Sequence, residues 1–579
     1  MMSKSYFSRI FCAVSVASAV LVFSSSATAQ RPSHPSSDNR QDVQAQQRPE
    51  KRPDRSFRRP PTMLDAQRFR ERRPFSSAGE EYRTFNGVMN NVQRPRYGSI
   101  FVNLIRISPP AYGPNNSLAR QDAASPRAIS NVACYQPWAE FENRNLSDMV
   151  WQWGQFVDHD LDLTEFQSPA EPAPIQVPVG DPIFDPLSSG GTTIEFNRSL
   201  HSKTFRRAVR QQINEITAWV DASNVYGSDK KRAASLRTFE DGLLKTTDAG
   251  PFGDLLPFNE SGTQFMAGDI RAGEQAGLTC MHTLFMREHN RLAAEIKKNN
   301  PALSDEGIYQ SARKNVYAII ESITYNEWLP ALLGPDNLLS AYAGYDDSVS
   351  PDIANEFSTC GFRFGHTMLS NQLLRLDSGN NEIAEGHILL RNAFFNPNVV
   401  LSIGIEPYLR GLAFQNAQRV DMQLNSGIRN FLFSNQLGSP MGFDLAALNI
   451  QRGRDHGLAD YNTLRISYGL APATGFADIS SNPLIQAQMA SVYPSVEEID
   501  PWVGMLAEDH ASNSSLGPLS IAIIKDQFER LRTADRFWYE RVYGGTALEV
   551  IRKTRLSDVI RRNTNIGSEL QDNVFFSND

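Results

Sequence analysis

Apolar positions along this chain recur mostly at the spacing of helices. Between residues 149 and 157 they fall on one helical face, and Ser147 or Asn145 is the expected N-cap. The same periodicity predicts further helices over three stretches, namely 279–296, 310–330 and 517–543. Strand-like alternation is sparse, and residues 387–390 are the best short candidate. We therefore expect a mainly α fold with little β structure.

The pattern changes once, near residue 80. Residues 30–75 are rich in Pro, Gln and Arg, show no hydrophobic period, and are expected to form a disordered lead-in. Positions 31–73 carry 12 Lys and Arg against 6 Asp and Glu, so this segment either contacts a polyanion or is a solvated linker. From 80 to 570 no repeat and no Gly/Ser-rich linker interrupts the helical pattern, which predicts one large domain.

Residues 1–29 have the features of a secretory signal peptide. Lys4 and Arg9 precede an apolar stretch from 10 to 23, and a small-residue cleavage site lies just before Gln30. A membrane anchor is the alternative, but the apolar stretch is short for a span. We find no second apolar run of sufficient length, so we expect no transmembrane span and a secreted or periplasmic protein.

Charge and cysteine content narrow the class of protein further. The formal net charge of −7 leaves only the lead-in basic, so nucleic acid is not an expected partner. Beyond the leader the chain has three cysteines, Cys134, Cys280 and Cys360. At most one disulfide can form, and stability must come from burial.

The run WGQFVDHDLDLT at 153–164 is the most informative motif. Gln155 and His159 lie four residues apart and share a helical face. The side chains of Asp158 and Asp160 project in other directions around the helix axis. His159 is therefore arranged to act on a ligand while its neighbours hold other groups. A solvated or capping histidine in an acidic helix end is the alternative.

Oxygen-bearing side chains recur in the run TAWVDASNVYG at 217–227. Thr217, Asp221 and Ser223, with the carbonyl of Trp219, would suit a hard cation such as calcium, and Asp160 is a candidate for the additional carboxylate. The spacing is not that of an EF-hand, and a plain turn is the alternative.

A third motif pairs Arg271 with Glu274, three residues apart on a helical turn. An arginine held near a working histidine polarises a bound oxygen without losing its charge, whereas the alternative is an ion pair with Glu274. His282 and His289 follow, two turns apart and without a His-Glu-x-x-His pattern. We expect them to be structural and not zinc ligands.

Two more motifs carry candidate ligand-binding groups. In GFRFGHTM, glycine and aromatic neighbours would let His366 approach a flat macrocycle and ligate its iron, or His366 is a core histidine bonded to backbone. In LAALNIQRGRDHG, at 445–457, a polar and Arg-dense run interrupts an apolar helix. It suits carboxylates such as porphyrin propionates, or it is a buried ion-pair cluster.

Together the five motifs resemble those of the animal haem peroxidases, the family of myeloperoxidase, lactoperoxidase and peroxidasin. They occur in the family's order, and the similarity runs from about residue 80 to roughly residue 560. The resemblance implies a single large helical haem-peroxidase domain at 80–570. It also implies haem b, one calcium ion and hydrogen peroxide as substrate.

The resemblance assigns roles to the matched residues. His159 would take the proton of peroxide and return it, Arg271 would stabilise the charge as the O–O bond breaks, and Gln155 would hold the distal water or halide. His366 would ligate the iron, and Asn449 would accept its other ring N–H.

Other matched residues would hold the haem edge and the cation. Arg363 and Arg452 would meet the propionates, and Asp158 and Glu274 would form ester links to the haem. The implied calcium ligands are Asp160, Thr217, Trp219, Asp221 and Ser223.

One departure bears on the electron donor. Gln275 stands where myeloperoxidase has a methionine, which removes the sulfonium link and implies a less electron-poor haem. We therefore expect oxidation of bromide, iodide, thiocyanate or small aromatic donors before chloride. The sparse cysteines also depart from the mammalian members and suggest a bacterial or otherwise simpler exporter.

Two other functions are weighed against this one. Fatty-acid oxygenase relatives carry a tyrosine three residues before the proximal histidine, and Arg363 stands there instead. An adhesion or matrix-interaction protein on a peroxidase scaffold is the second alternative. It is disfavoured because the catalytic set is intact and the chain has neither an Arg-Gly-Asp sequence nor an immunoglobulin-like or leucine-rich module.

Overall fold

The helix Met149–Leu161 shows how the apolar pattern builds the core. Trp153 and Phe156 are fully buried, and Phe156 stacks on Phe285 at 5.1 Å between ring centroids. The expected N-cap is wrong, because Asp148 precedes the helix and makes no side-chain capping bond. The Ser147 hydroxyl is occupied elsewhere, donating to the carbonyl of Val574 at 2.5 Å.

The computed structural model describes residues 81–202, 209–434 and 442–577, all within one compact unit. The expected signal peptide, 1–29, and the whole of the expected basic lead-in, 30–75, therefore lie outside the described residues. Within these ranges the α-helices are α1 Pro126–Ala133, α2 Met149–Leu161, α3 Ser223–Tyr226, α4 Lys230–Leu236, α5 Ala276–Asn299, α6 Asp305–Ile323, α7 Leu329–Leu333, α8 Asn355–Thr359, α9 Leu390–Ala393, α10 Asn398–Leu401, α11 Glu406–Phe414, α12 Ser426–Arg429, α13 Leu445–Asp455, α14 Tyr461–Ser467, α15 Pro483–Val492, α16 Pro501–Ala507, α17 Pro518–Ala534, α18 Tyr539–Val542, α19 Gly545–Lys553 and α20 Leu556–Asn563.

Strands are short and occur in antiparallel pairs. The pairs are β1 Val102–Asn103 with β4 Ile213–Asn214, β2 Ile175–Gln176 with β3 Thr193–Ile194, β5 Thr247–Asp248 with β6 Asp254–Leu255, and β7 Gln372–Leu373 with β8 Ile388–Leu389. The strand expected at 387–390 is β8, although Leu390 already begins a helix. The expectation of a mainly α fold is confirmed.

The two longest helices of the described residues, α5 and α6, pack on each other. Gln275 caps α5 by accepting the N–H of Gly277 at 2.6 Å, and Ser304 caps α6 by accepting the N–H of Gly307 at 3.2 Å. Each cap satisfies an N–H that the helix itself leaves without a partner. Helix α5 packs on both α6 and α2, so it supports the helix that carries His159.

Two expected helices end earlier than their apolar pattern. The stretch 310–330 contains most of α6, which begins earlier at Asp305, a π-helical turn at Thr324–Trp328 and the start of α7. The stretch 517–543 breaks after Ala534, where Asp535 binds Arg83 and accepts the N–H of Phe537 at 2.8 Å. A partner from the far end of the chain thus sets this helix boundary. Among the described helices none is both long and apolar enough to cross a membrane.

Candidate active site

A cavity lies between α2 and the 3₁₀ turn Gly361–His366, with about 900 Å³ of empty space when its opening to solvent is included. One wall carries the polar side chains of α2 and of the segment before α5, and the opposite wall carries His366 and aromatic residues. The side chains that line it include Gln155, Asp158, His159, Glu274, Gln275, Arg363, Phe364, His366, Leu390, Phe394 and Phe433. Residues from three of the five motifs therefore meet at this cavity, and Leu445 adds a fourth motif.

His159 reaches this cavity from the last turn of α2. Its side chain is 2% exposed, and its Nδ1 atom lies 3.7 Å from Oδ1 of Asp269. Burial and the nearby charge of Arg271 lower the pKa of His159 well below its usual value, and Asp269 opposes the shift only partly. The imidazole is therefore neutral at neutral pH and has a ring nitrogen available to accept a proton.

Gln155 lies one helical turn before His159 and joins a chain of amides. Its Oε1 accepts from Nε2 of Gln275 at 3.1 Å, and Gln275 also donates to Oε1 of Gln152 at 2.6 Å. Gln155 and His159 share one face of α2 at the cavity, as the four-residue spacing predicts.

Arg271 is buried behind Asp158 and is held from one side. Its Nε and Nη2 atoms donate to the two oxygens of Asp269 at 2.9 and 3.0 Å, and Nη2 also donates to the carbonyl of Asp162 at 2.9 Å. Nη1 is left without a hydrogen-bond partner among the described residues and lies 3.9 Å from Oδ2 of Asp158. The alternative of a surface ion pair with Glu274 is therefore wrong.

Asp158 and Glu274 bring two carboxyl groups to the cavity wall. Burial raises the pKa of Asp158 well above its usual value and that of Glu274 to about 8. Both groups stand where a carboxyl could form a bond with a ligand in the cavity.

His366 lies on the other wall, and Asn449 of α13 stands behind it. The Asn449 amide nitrogen is 2.9 Å from His366 Nδ1, while its oxygen accepts from Nη1 of Arg363 at 3.1 Å. The expected pair is thus in contact, and which group donates depends on the tautomer of the ring. Acceptance of the ring N–H by Asn449 stays a prediction, and Arg363 competes for the same amide oxygen. Burial and Arg363 lower the pKa of His366 to about 3.

The two arginines expected at the propionates differ in position. Arg363 lines the cavity three residues before His366, where no tyrosine is present. Arg452 does not line it: Nη1 donates to Ser199 Oγ at 2.7 Å and to Asp455 at 2.9 Å, and the guanidinium lies over the ring of Phe196. The role of Arg452 toward a propionate stays a prediction, whereas its other reading as part of a buried ion-pair cluster fits these contacts.

The residues fit a haem group. His366 supplies a ligand nitrogen, and the neighbouring Gly365 leaves open space where a side chain would stand, with no atom within 4 Å of a Cβ built there. Aromatic and aliphatic side chains flank the cavity, and the Arg363 guanidinium offers a partner for a carboxylate.

The candidate cation ligands also lie together. Asp160 accepts from Ser223 Oγ at 2.7 Å, and Asp221 accepts from Thr217 Oγ1 at 3.1 Å. Trp219, which lies between Thr217 and Asp221 in the sequence, is buried. Burial and the adjacent Asp221 raise the pKa of Asp160 to about 8. Two buried carboxylates with hydroxyl oxygens form a hard donor set that a calcium ion fits. The described residues contain no group of three or more His, Cys, Asp or Glu suited to a metal.

His289 has the structural role that its sequence context predicts. Its Nδ1 contacts the Tyr226 hydroxyl at 2.8 Å and its Nε2 the carbonyl of Gly242 at 2.9 Å. His282 packs edge-on against Phe156 with ring centroids 5.0 Å apart, and burial lowers its pKa to about 4.

Sequence reasoning missed Asp269. It lies inside the motif that contains Arg271. An Asp two residues before an Arg does not by itself predict that the two side chains are in contact. Its contact with both Arg271 and His159 depends on the turn that precedes α5.

Comparisons with known proteins identify the family of this chain. The family model described as animal haem peroxidase matches residues 82–575. Peroxinectin A of Dictyostelium discoideum is 35% identical over 526 residues, covering 86% of this chain and 96% of that protein. The peroxidasin homolog of Mus musculus is 36% identical and covers 86% of this chain, but the match spans only 37% of that protein.

Solved structures give the same fold. Peroxidase A from Dictyostelium discoideum superposes with a TM-score of 0.79 at 34% identity, covering 86% of this chain and all of that one. Fatty acid alpha-dioxygenase from Oryza sativa, solved with palmitic acid, has a TM-score of 0.74 at 24% identity, covering 86% of this chain and 87% of that one. The latter likeness shows the fold alone.

Proposed function

The chain belongs to the animal haem peroxidase family and is an oxidoreductase that acts on hydrogen peroxide. On that premise we propose that His159, Arg271 and His366 carry the reaction and that the reducing donors are bromide, iodide, thiocyanate or small aromatic compounds. The observation that carries the proposal is that neutral His159 lines the same cavity as His366, while the unpartnered Nη1 of Arg271 lies 3.9 Å from Oδ2 of Asp158, which also lines it.

Haem, when bound to His366, supplies the iron that exchanges electrons with peroxide and with the donor. The chain supplies the rest. His159 accepts the proton from one peroxide oxygen at its free ring nitrogen and returns it to the other oxygen, which leaves as water. Arg271 directs Nη1 toward the oxygen on which negative charge develops, and it keeps its own charge throughout.

The donor preference is proposed from the distal amides. Gln275 has no sulfur atom, so position 275 forms no sulfonium bond to the haem, and its amide is engaged with Gln152 and Gln155. We expect kcat/KM to be higher for bromide and thiocyanate than for chloride. Gln275→Met is the matched variant and should move the preference toward chloride, whereas an unchanged donor order would contradict the proposal.

Ester links through Asp158 and Glu274 are a further part of the proposal. Both carboxyl groups line the cavity, and burial favours their neutral forms. After reaction with peroxide, the wild-type protein should retain haem during extraction with acidified organic solvent. Asp158→Asn combined with Glu274→Gln should release it, and release of all haem from the wild type would exclude the links.

A calcium ion at Asp160, Thr217, Trp219, Asp221 and Ser223 is proposed because the donor set is buried and rich in oxygen. Calcium would offset the mutual repulsion of the two carboxylates and hold the end of α2 next to His159. Chelation should therefore lower both the Tm and the rate of reaction with peroxide, and added calcium should restore them. Asp221→Asn should abolish this dependence, whereas Asp346→Asn, in an exposed turn, should leave it intact.

Export is proposed from the leader segment alone. The mature chain should begin at Gln30, which N-terminal sequencing of the protein recovered outside the producing cells would test. The basic segment 31–73 should retain the protein on an immobilised polyanion in a salt-dependent manner, and its deletion should remove that retention.

The proposed chemistry is tested with haem-loaded protein and hydrogen peroxide. Replacing His159 by Ala should slow the reaction by about 10²–10⁴-fold, because the proton carrier is lost. His201→Ala, which removes a histidine outside the cavity lining, is the control and should react like the wild type. A His159→Ala protein that reacts at the wild-type rate would refute the assignment.

A further inference from the structure

The position of Asp269 is fixed by backbone contacts that do not involve its carboxylate. Its backbone N–H donates to the carbonyl of Asn224 at 2.9 Å, and Asn224 also donates from its side chain to the carbonyl of Phe156 at 2.6 Å. The preceding Gly268 packs so closely on residues 223–227 that a Cβ there would lie 2.2 Å from the carbonyl oxygen of Ser223. The position of Asp269 is therefore set by α2 and by residues 217–227, which we call the candidate cation loop.

The carboxylate of Asp269 determines how the guanidinium of Arg271 points. It accepts from the backbone N–H of Arg271 at 2.7 Å, from Nε at 2.9 Å and from Nη2 at 3.0 Å. A planar guanidinium held along one edge has its remaining nitrogen fixed in direction. That nitrogen is Nη1, which lies near Asp158 at the cavity wall.

The same carboxylate faces the ring of His159. Oδ1 lies 3.7 Å from Nδ1, which has no other hydrogen-bond partner among the described residues. This separation is longer than a hydrogen bond, which ends at about 3.2 Å, and leaves little room for a bridging water. A carboxylate on this side of the ring favours the proton on Nδ1, and it thereby leaves Nε2 without a proton.

We propose that Asp269 is the positioning residue of the distal site: its carboxylate holds Arg271 and His159 together so that Nη1 and the bare ring nitrogen face the same peroxide. The proposal rests on the peroxidase function proposed above. Asp269 itself is 4% exposed and is absent from the cavity lining, so it acts through the other two residues. Asn224 connects this arrangement to the candidate cation loop.

Asp181 provides a matched control. It too is buried and binds one edge of an arginine, with Oδ2 at 2.7 Å from Nε and Oδ1 at 3.1 Å from Nη2 of Arg127. Neither residue lines the cavity. Asp181→Asn therefore removes the same kind of bidentate contact without touching the distal site.

The experiment compares haem-loaded wild type, Asp269→Asn and Asp181→Asn. For Asp269→Asn we expect the second-order rate constants for peroxide and for cyanide binding to fall about 10–100-fold, the magnitude of a lost supporting contact. The KM for the donor should stay within about twofold, because the donor does not meet Asp269. Asp181→Asn should lower the resistance to urea but leave both rate constants unchanged.

Equal peroxide and cyanide rates in Asp269→Asn and wild type would overturn the proposal, and so would equal losses in the two variants. If Asp269→Asn does not fold, Asp269→Glu keeps the charge on a longer side chain and should still react more slowly than wild type. A wild type that ignores peroxide would refute the proposed function instead. The cyanide rates, which need the same distal pair but no peroxide, would then still decide the role of Asp269.

Discussion

Two buried arginines, Arg127 and Arg271, are built alike and are used differently. In each, the Nε and Nη2 edge of the guanidinium donates to one carboxylate, which is Asp181 for Arg127 and Asp269 for Arg271. In Arg127 the third nitrogen is also occupied, because Nη1 donates to Asp444 at 2.7 Å and to the carbonyl of Arg429. In Arg271 the third nitrogen is unpartnered beside the cavity.

The difference separates a structural cation from a reactive one. The contacts of Arg127 tie α1 to the segment before α13, since Asp444 caps α13 by accepting the N–H of Ala447 at 3.0 Å. All its charge is compensated inside the protein. Arg271 has part of its donor capacity unused, and a buried donor without a partner costs stability unless a ligand takes it. Arg271 therefore keeps one donor nitrogen available for a ligand, whereas all three nitrogens of Arg127 already have partners within the protein.

The largest expected effect is on catalysis, from Arg271→Lys. A lysine still neutralises Asp269 but cannot direct a second nitrogen to the cavity. The rate constant for peroxide should fall about 10²–10³-fold, as for loss of one preorganised donor. Stopped-flow absorbance of the haem band measures it, and the urea midpoint should change little. A wild-type rate constant in this variant would erase the distinction between the two arginines.

The matched change at the structural cluster, Arg127→Lys, should have the converse result. A single ammonium cannot serve both Asp181 and Asp444, so one buried carboxylate loses a partner. We expect the free energy of unfolding to fall by about 1–3 kcal/mol. Equilibrium urea unfolding gives this value, and the peroxide rate constant per folded molecule should be unchanged. A slower peroxide reaction would mean that the cluster also positions the site.

The smallest effect concerns pH. Burial alone would raise the pKa values of Asp181 and Asp269. The arginines paired with them outweigh this effect and lower both pKa values, and the pKa of Asp269 falls to about 2. Below the unfolded-state pKa of about 3.9 the unfolded chain takes up protons that the folded chain does not, so stability falls as the pH falls. Asp181→Asn should reduce this slope by up to about 1.4 kcal/mol per pH unit between pH 4 and 2. Urea unfolding at several pH values measures the slope, and an unchanged slope would show that Asp181 titrates normally.

The helices could be predicted from periodicity, but their ends could not. The apolar stripe of α2 is local information, whereas the end of α17 depends on Asp535 binding Arg83, 452 residues away in the sequence. The two-residue strands likewise exist because a distant partner is present. Local pattern therefore predicts which segments are helical, and tertiary contacts decide where they stop.

The candidate site divides in the same way. His159, Gln155, Arg271 and His366 could be assigned because their motifs match those of a known family, and all but Arg271 line the cavity. The contact of the Asn449 amide with Arg363 and the position of Arg452 could not be predicted, because each depends on side-chain contacts that form only in the fold. The role of Asp269 could not be predicted, because it depends on the positions of Arg271 and His159 around its carboxylate in the fold.

The three buried thiols have a consequence for the working life of the protein. Cys134, Cys280 and Cys360 are unpaired and inaccessible, and burial raises the pKa of each above its usual value. Oxidants attack the thiolate, so burial that disfavours the thiolate also slows its oxidation. A protein that acts on hydrogen peroxide thus keeps these three sulfur atoms in the form that an oxidant attacks slowly.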